Sequence, residues 1–183
     1  MMRIHKIYLD MDGVLSDFNK RYKEMFKRAA SSSRERGEKH DDNWNRFVDG
    51  KNFETLDWYP GGKELLKFVL SLDIPIEILS SSGGKMHHEE VKKQKKVWLK
   101  QHNIDFKANI VPGRHLKADY AKSDVILIDD TTDVIDDFNH AGGIGILHRD
   151  TAETIKIVQS VLDDTYISVY NESCGQDAHT INT

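Results

Sequence analysis

The stretch Ile7-Tyr8-Leu9-Asp10-Met11-Asp12-Gly13-Val14 decides the reading of this chain. An apolar run ends in two carboxylates one residue apart, and a glycine then permits a sharp turn. A buried strand that ends this way carries both acids to a sheet edge. In open parallel sheets, the edge at the carboxyl ends of the strands is where ligands bind. Two carboxylates placed there repel each other unless a cation or a shared proton lies between them. A hard divalent ion with oxygen ligands meets that need.

Outward from this stretch the pattern recurs. Val125-Ile126-Leu127-Ile128 runs into Asp129-Asp130, so one sheet edge gathers at least three carboxylates. Ile4–Leu9, Ile74–Leu79, Ala108–Val111, Val125–Ile128 and Ile144–Leu147 read as buried strands. Between and after them, Lys63–Leu72, Glu89–His102, Thr132–Ala141 and Thr151–Leu162 have helical spacing, and Gly142-Gly143 stops one of them. This alternation predicts an α/β fold in which crossover helices flank a parallel sheet.

Residues 18–59 break the rhythm. They are polar, pass through Ser31-Ser32-Ser33 and Arg34–Lys39, and then show Trp44, Phe47, Phe53 and Trp58. The spacing predicts a small helical insertion with a mobile middle, closed by the turn Pro60-Gly61-Gly62. The expected organisation is a core of residues 1–17 and 60–165, a cap of 18–59 and a flexible C-terminal tail of 166–183. Within that tail, Tyr166–Tyr170 has the composition of an edge strand and Asn171–Thr183 is expected to be loose.

Composition narrows the function classes. A chain of 183 residues suits one compact domain with room for a modest insertion. Its net charge of −4 with 31% charged residues carries neither a general nucleic-acid footprint nor an acidic disordered tail. An anionic ligand must therefore be held by a local cluster of cations, and no stable nucleic-acid complex is expected. Cys174 is the only cysteine, which excludes an internal disulfide and fits a reducing compartment. With no apolar run long enough for a signal peptide or a membrane span, the expectation is a soluble cytoplasmic protein. His5, His87 and His88 lack the spacing of a zinc site.

Four segments resemble the motifs of the haloacid dehalogenase superfamily, in order and over roughly residues 4 to 150. Asp10-Met11-Asp12-Gly13-Val14-Leu15 is similar to the first motif, Ile76-Glu77-Ile78-Leu79-Ser80-Ser81 to the hydrophobic strand ending in Ser or Thr, and Ile128-Asp129-Asp130 to the acidic fourth motif. Lys117 lies where the third-motif lysine is expected, with Lys122 as its competitor. The resemblance implies a Rossmann-like core and a magnesium-dependent phosphatase. In it the carboxylate of Asp10 attacks phosphorus, and Asp12 protonates the leaving oxygen and later activates water. Mg2+ would be bound by Asp10, the backbone carbonyl of Asp12 and Asp130, with Asp129 orienting these ligands. Ser80 and the backbone N–H groups of Ser81 and Ser82 would hold phosphate oxygens, with Lys85 as a further contact. The lysines from Lys92 to Lys96 read as a solvated helix face.

Within that superfamily, Asp17-Phe18, the short cap and Pro60-Gly61-Gly62-Lys63-Glu64-Leu65-Leu66 are similar to the 5'(3')-deoxyribonucleotidases, and Lys95–Leu99 adds a weaker match. This implies a nucleoside monophosphate substrate whose base stacks on Phe18, with Phe53 and Trp58 enclosing it. Trp44 and Phe47 read as packing within the cap. The alternatives are another small phosphate ester, a nucleic-acid 3' phosphate, or a silent module that binds a phosphate ligand. The preferred base and sugar and the oligomeric state stay open, a homodimer being compatible.

Overall fold

Strand β1 (Lys6–Leu9) is the middle of a 5-stranded parallel sheet. On one side of it lie β2 (Ile76–Ser81) and β3 (Ala108–Val111), and on the other β4 (Val125–Asp129) and β5 (Ile144–Leu147), giving the order β3-β2-β1-β4-β5. The computed structural model describes residues 3–30 and 42–175, with side chains through Asp163. The polar middle of the insertion from Ser31 to Lys39 and the end of the tail from Gln176 lie outside the described residues.

The central strands are apolar on both faces because helices cover both. Ile7, Leu9, Ile126 and Ile128 point to one face, where they meet Leu65, Val69, Val91, Trp98 and Val158. Tyr8, Val125 and Leu127 point to the other, against Val134, Ile135 and Phe138. This alternation is the period of two of a strand, and with both faces covered it produces the unbroken apolar runs seen in the sequence.

Helix α1 (Phe18–Phe26) and helix α2 (Asp42–Asp49) are inserted after β1, followed by a short 3-10 turn at Asn52–Thr55. The chain leaves and re-enters the core as a clamped pair, because Asp17 N donates to Asp57 O and Tyr59 N donates to Leu15 O. Helix α3 (Gly62–Leu70) then leads to β2, α4 (His88–Gln101) joins β2 to β3, and α5 (Thr132–His140) joins β4 to β5. The connection from β3 to β4 carries a 3-10 segment at Arg114–Tyr120 in place of a regular crossover helix.

The C-terminal helix α6 spans Thr151–Gly175. Tyr166–Tyr170 therefore continue a helix and do not form an edge strand. No glycine or proline interrupts the chain between Thr151 and Gly175, so nothing stops the helical pattern where the change in composition suggested a strand. Strand β2 also runs further than its apolar residues, through Ser80 and Ser81, which pair with Ile110 and Val111. Among the described residues, no helix is long and apolar enough to cross a membrane.

Trp98 anchors α4 to both parts of the molecule. Its ring is fully buried in the core, and its indole N–H donates to Leu56 O at 2.8 Å in the returning limb of the insertion. Replacing it removes a large buried ring and orphans a carbonyl. Trp98→Ala should cost about 3–5 kcal/mol in urea-induced unfolding. A cost below about 1 kcal/mol would show that the ring is not integral to the core.

Candidate active site

The chain order reverses between β1 and β4, and the carboxyl ends of those two strands hold the acidic residues. Leu9 pairs with Ile128, and Asp10 N donates to Ile128 O at 3.0 Å. This register sets Asp10 beside Asp129. Carboxylate oxygens of Asp10, Asp129 and Asp130 all lie within 4.8 Å of one another.

The turn after Asp10 depends on Gly13. Its φ of +79° suits glycine, and a Cβ there would stand 2.1 Å from Asp130 Oδ2. The turn is closed by Met11 O, which accepts from the N–H groups of Val14, Leu15 and Ser16, and by the Gly13 N–H, which donates to Ser16 O. Gly13 thus lets one acidic loop lie directly against the other.

Two buried ammonium groups face these acids. Lys117, from the 3-10 segment, donates to Asp129 Oδ2 at 2.6 Å and stands 3.0 Å from Asp10 Oδ1. Lys122 is exposed, so the choice between the two falls on Lys117. Burial works against the charge of Lys117, yet Asp10 and Asp129 outweigh it and hold its pKa above the ordinary lysine value. Lys95 is only 1% exposed and donates all three protons: to Asp12 Oδ2 at 2.7 Å, Ser80 Oγ at 2.8 Å and Ser81 O at 2.8 Å.

Lys95 corrects the expectation of a solvated lysine face. Val91, Trp98 and Leu99 form the buried stripe of α4, and Lys95 lies on it, four residues after Val91 and three before Trp98. A lysine at an apolar position of an amphipathic helix was the available signal, hidden among Lys92, Lys93 and Lys96. Ser16 was also missed: it is fully buried and its hydroxyl donates to Asp12 Oδ1 at 3.1 Å.

The serines divide. Ser80 is buried and its oxygen accepts from Lys95, which places it on the Asp12 side of the site. Ser81 contributes its carbonyl to Lys95. The expected phosphate contact from Ser82 N–H is overturned, since that group donates to Val111 O at 2.9 Å in the extended β2–β3 pairing. The Ser82 hydroxyl also turns inward, to Gly84 O and His88 Nδ1. Lys85 is exposed on the following loop.

Phe18 is half-buried at the start of α1 and packs parallel to Phe53, with ring centroids 5.6 Å apart and planes 4° apart. Trp44 and Phe47 also contact it, so Phe18, Trp44, Phe47 and Phe53 form one cluster. Phe53 is buried within that cluster, with Lys95 Nζ 5.3 Å from its ring centre. Trp58 packs against Trp98 and His102.

Burial and mutual repulsion disfavour the ionised acids, a strain that a bound cation or a proton relieves. Asp130 is pushed up to about 7, first by burial and then by the charges of Asp10 and Asp129. Burial also raises Asp129, with Lys117 opposing it. Asp12 is raised above the usual carboxylate range by burial, against the pull of Lys95, with Asp10 adding to the rise. Asp10 Oδ1 is buried and accepts no hydrogen bond, although Lys117 is near. An all-oxygen donor set with repelling charges fits a hard divalent ion, which Asp10, Asp129 and Asp130 could hold.

With this geometry in place, comparison with solved structures defines the class of fold. The chain is similar to a hydrolase from Streptococcus pneumoniae TIGR4, with 14% identity and a TM-score of 0.51 over 86% of this chain and 100% of that one. It is also similar to a Had-superfamily hydrolase from Ehrlichia chaffeensis, with 12% identity and a TM-score of 0.51 over 88% and 99% of the two chains. A dehalogenase matches with 11% identity and a TM-score of 0.51 over 79% and 84%. The chain shares with these structures the fold of a parallel sheet flanked by helices. No protein-family model matches the chain, and no curated protein matches it by sequence.

A bound divalent ion should stabilise the folded protein by mass action. Magnesium at a hundred times its dissociation constant should add about 2.7 kcal/mol, seen as a rise in Tm that chelator reverses. Asp130→Asn should abolish most of that rise. An equal rise in the variant would place the ion elsewhere.

Proposed function

We propose that this protein is a magnesium-dependent phosphatase that hydrolyses deoxynucleoside monophosphates through an aspartyl phosphate on Asp10. The observation that carries the reading is the pairing of Asp10 with Lys117 and of Asp12 with Lys95 at one strand end. An anionic nucleophile approaching an anionic phosphate is repelled, and fixed ammonium groups in a site shielded from water offset that repulsion. A bound magnesium ion would supply further screening of the phosphate charge.

In the first step a carboxylate oxygen of Asp10 forms a bond to phosphorus while the bond from phosphorus to the ester oxygen breaks. The electron pair goes to that oxygen, which takes a proton from Asp12. In the second step Asp12, now ionised, accepts a proton from water as the water oxygen attacks the aspartyl phosphate. Inorganic phosphate leaves and both aspartates return to their starting states. The raised pKa of Asp12 suits a group that must hold a proton before giving it up. The Ser80 oxygen already accepts from Lys95, so its own proton is available for a phosphate oxygen.

The deoxynucleotide part of the reading is supported by Asp17-Phe18 directly after the first motif and by the half-buried ring of Phe18 at the base of an aromatic cluster. A base would stack on that ring. One observation favours a second reading, a smaller phosphate ester: Phe53 is buried and already parallel to Phe18, which limits the aromatic surface open to a ligand. Because the fold also serves a dehalogenase, phosphate release itself has to be measured.

Phosphate release from deoxynucleoside and ribonucleoside 5'- and 3'-monophosphates and from sugar phosphates, with magnesium or chelator, tests both readings. Magnesium-dependent turnover of deoxynucleotides, reduced on the order of a thousandfold or more by Asp10→Asn, is the expected result. Turnover confined to sugar phosphates would retain the chemistry and select the second reading. Absence of phosphate release across the panel would overturn both.

A further inference from the structure

We infer that Ser16 is a positioning residue that fixes the carboxyl of Asp12 for proton transfer to the leaving group. The inference rests on the role proposed above for Asp12. Each oxygen of that carboxyl has its own donor: Lys95 Nζ at 2.7 Å from Oδ2 and Ser16 Oγ at 3.1 Å from Oδ1. A side chain held at one oxygen can still rotate about its Cβ–Cγ bond. Held at both, it keeps one orientation, and proton transfer is sensitive to orientation.

Ser16 is well placed for this because its own backbone is fixed from several sides. Its N–H donates to Met11 O, and its carbonyl accepts from Gly13 N, both at 2.8 Å. It forms isolated backbone bridges with Asp12 and with Trp58, and its neighbours Leu15 and Asp17 are clamped to Tyr59 and Asp57. The side chain is fully buried, so water does not compete for Asp12 Oδ1 from that direction. Ser16 lies four residues beyond Asp12, outside any regular helix or strand. Here the turn at Gly13 folds it back onto the carboxyl.

Ser16 and Lys95 also differ in kind. Lys95 reaches Ser80 as well as Asp12 and contributes charge, so its loss would disturb phosphate binding and proton transfer together. Ser16 donates its hydroxyl proton to that carboxyl and adds no charge. Removing its hydroxyl should therefore separate the two functions. Its effect should appear only when the leaving oxygen needs a proton.

The test compares Ser16→Ala with wild type on an alkyl ester, a deoxynucleoside 5'-monophosphate, and on p-nitrophenyl phosphate, whose leaving group departs as an anion. The quantity read is kcat/KM, which covers the steps up to departure of the leaving group. It should fall about tenfold for the alkyl ester, a modest part of the usual general-acid contribution, and change less than twofold for the aryl ester. Inhibition by inorganic phosphate should be unchanged, and Ser16→Thr, which keeps the hydroxyl, should recover the alkyl ester rate. Equal losses on both esters, no loss on either, or a folded Ser16→Thr as slow as Ser16→Ala would overturn the inference. If wild type cleaves neither ester, the phosphatase reading falls and this role of Ser16 falls with it; wild-type cleavage with equal losses overturns Ser16 alone.

Discussion

Like charges crowded at the ends of β1 and β4 are the constraint around which this molecule is arranged. Asp10, Asp12, Asp129 and Asp130 sit within two adjoining loops, three of them with oxygens inside a 4.8 Å span. Burying them without compensation would cost several kcal/mol per charge. The chain answers with two lysines drawn from distant elements, one from the middle of α4 and one from the 3-10 segment before β4. Each is held by carboxylates it helps to neutralise, and each leaves the acid cluster with a residual demand for positive charge.

That demand explains features that look unrelated. Gly13 is needed because the Asp130 carboxyl occupies the space where a Cβ would lie. Strand β2 extends through polar Ser80 and Ser81 because Ser80 Oγ and Ser81 O are ligands for Lys95. The 3-10 segment, short and irregular, delivers Lys117 to the cluster. Rules of local propensity are broken in the places where the charges must be met.

Most of the fold was legible because buried parallel strands write themselves as continuous apolar runs, and Asp10, Asp12, Asp129 and Asp130 were legible because acids seldom end such runs in pairs. Lys95 was not, since a lysine surrounded by lysines looks solvated until its place on the apolar stripe of α4 is counted. Ser16 could not be found by spacing at all: its contact with Asp12 exists only once the Gly13 turn has formed. Ser82 was misread for the opposite reason, as the strand continued past the last apolar residue and consumed its N–H. The helical course of Tyr166–Tyr170 shows that strand-like composition yields to an uninterrupted helix.

The clamp at the root of the insertion has a consequence for how this architecture can change. Leu15 and Asp17 are joined to Tyr59 and Asp57, so the two ends of the intervening segment are held together at its root. Lengthening such a closed loop is cheap, about 0.6 kcal/mol for each doubling. The root therefore lets the length of the insertion vary at little cost in loop closure, whereas Leu56 and Phe53, which meet Trp98 and Lys95, tie its returning limb to the helix that carries Lys95.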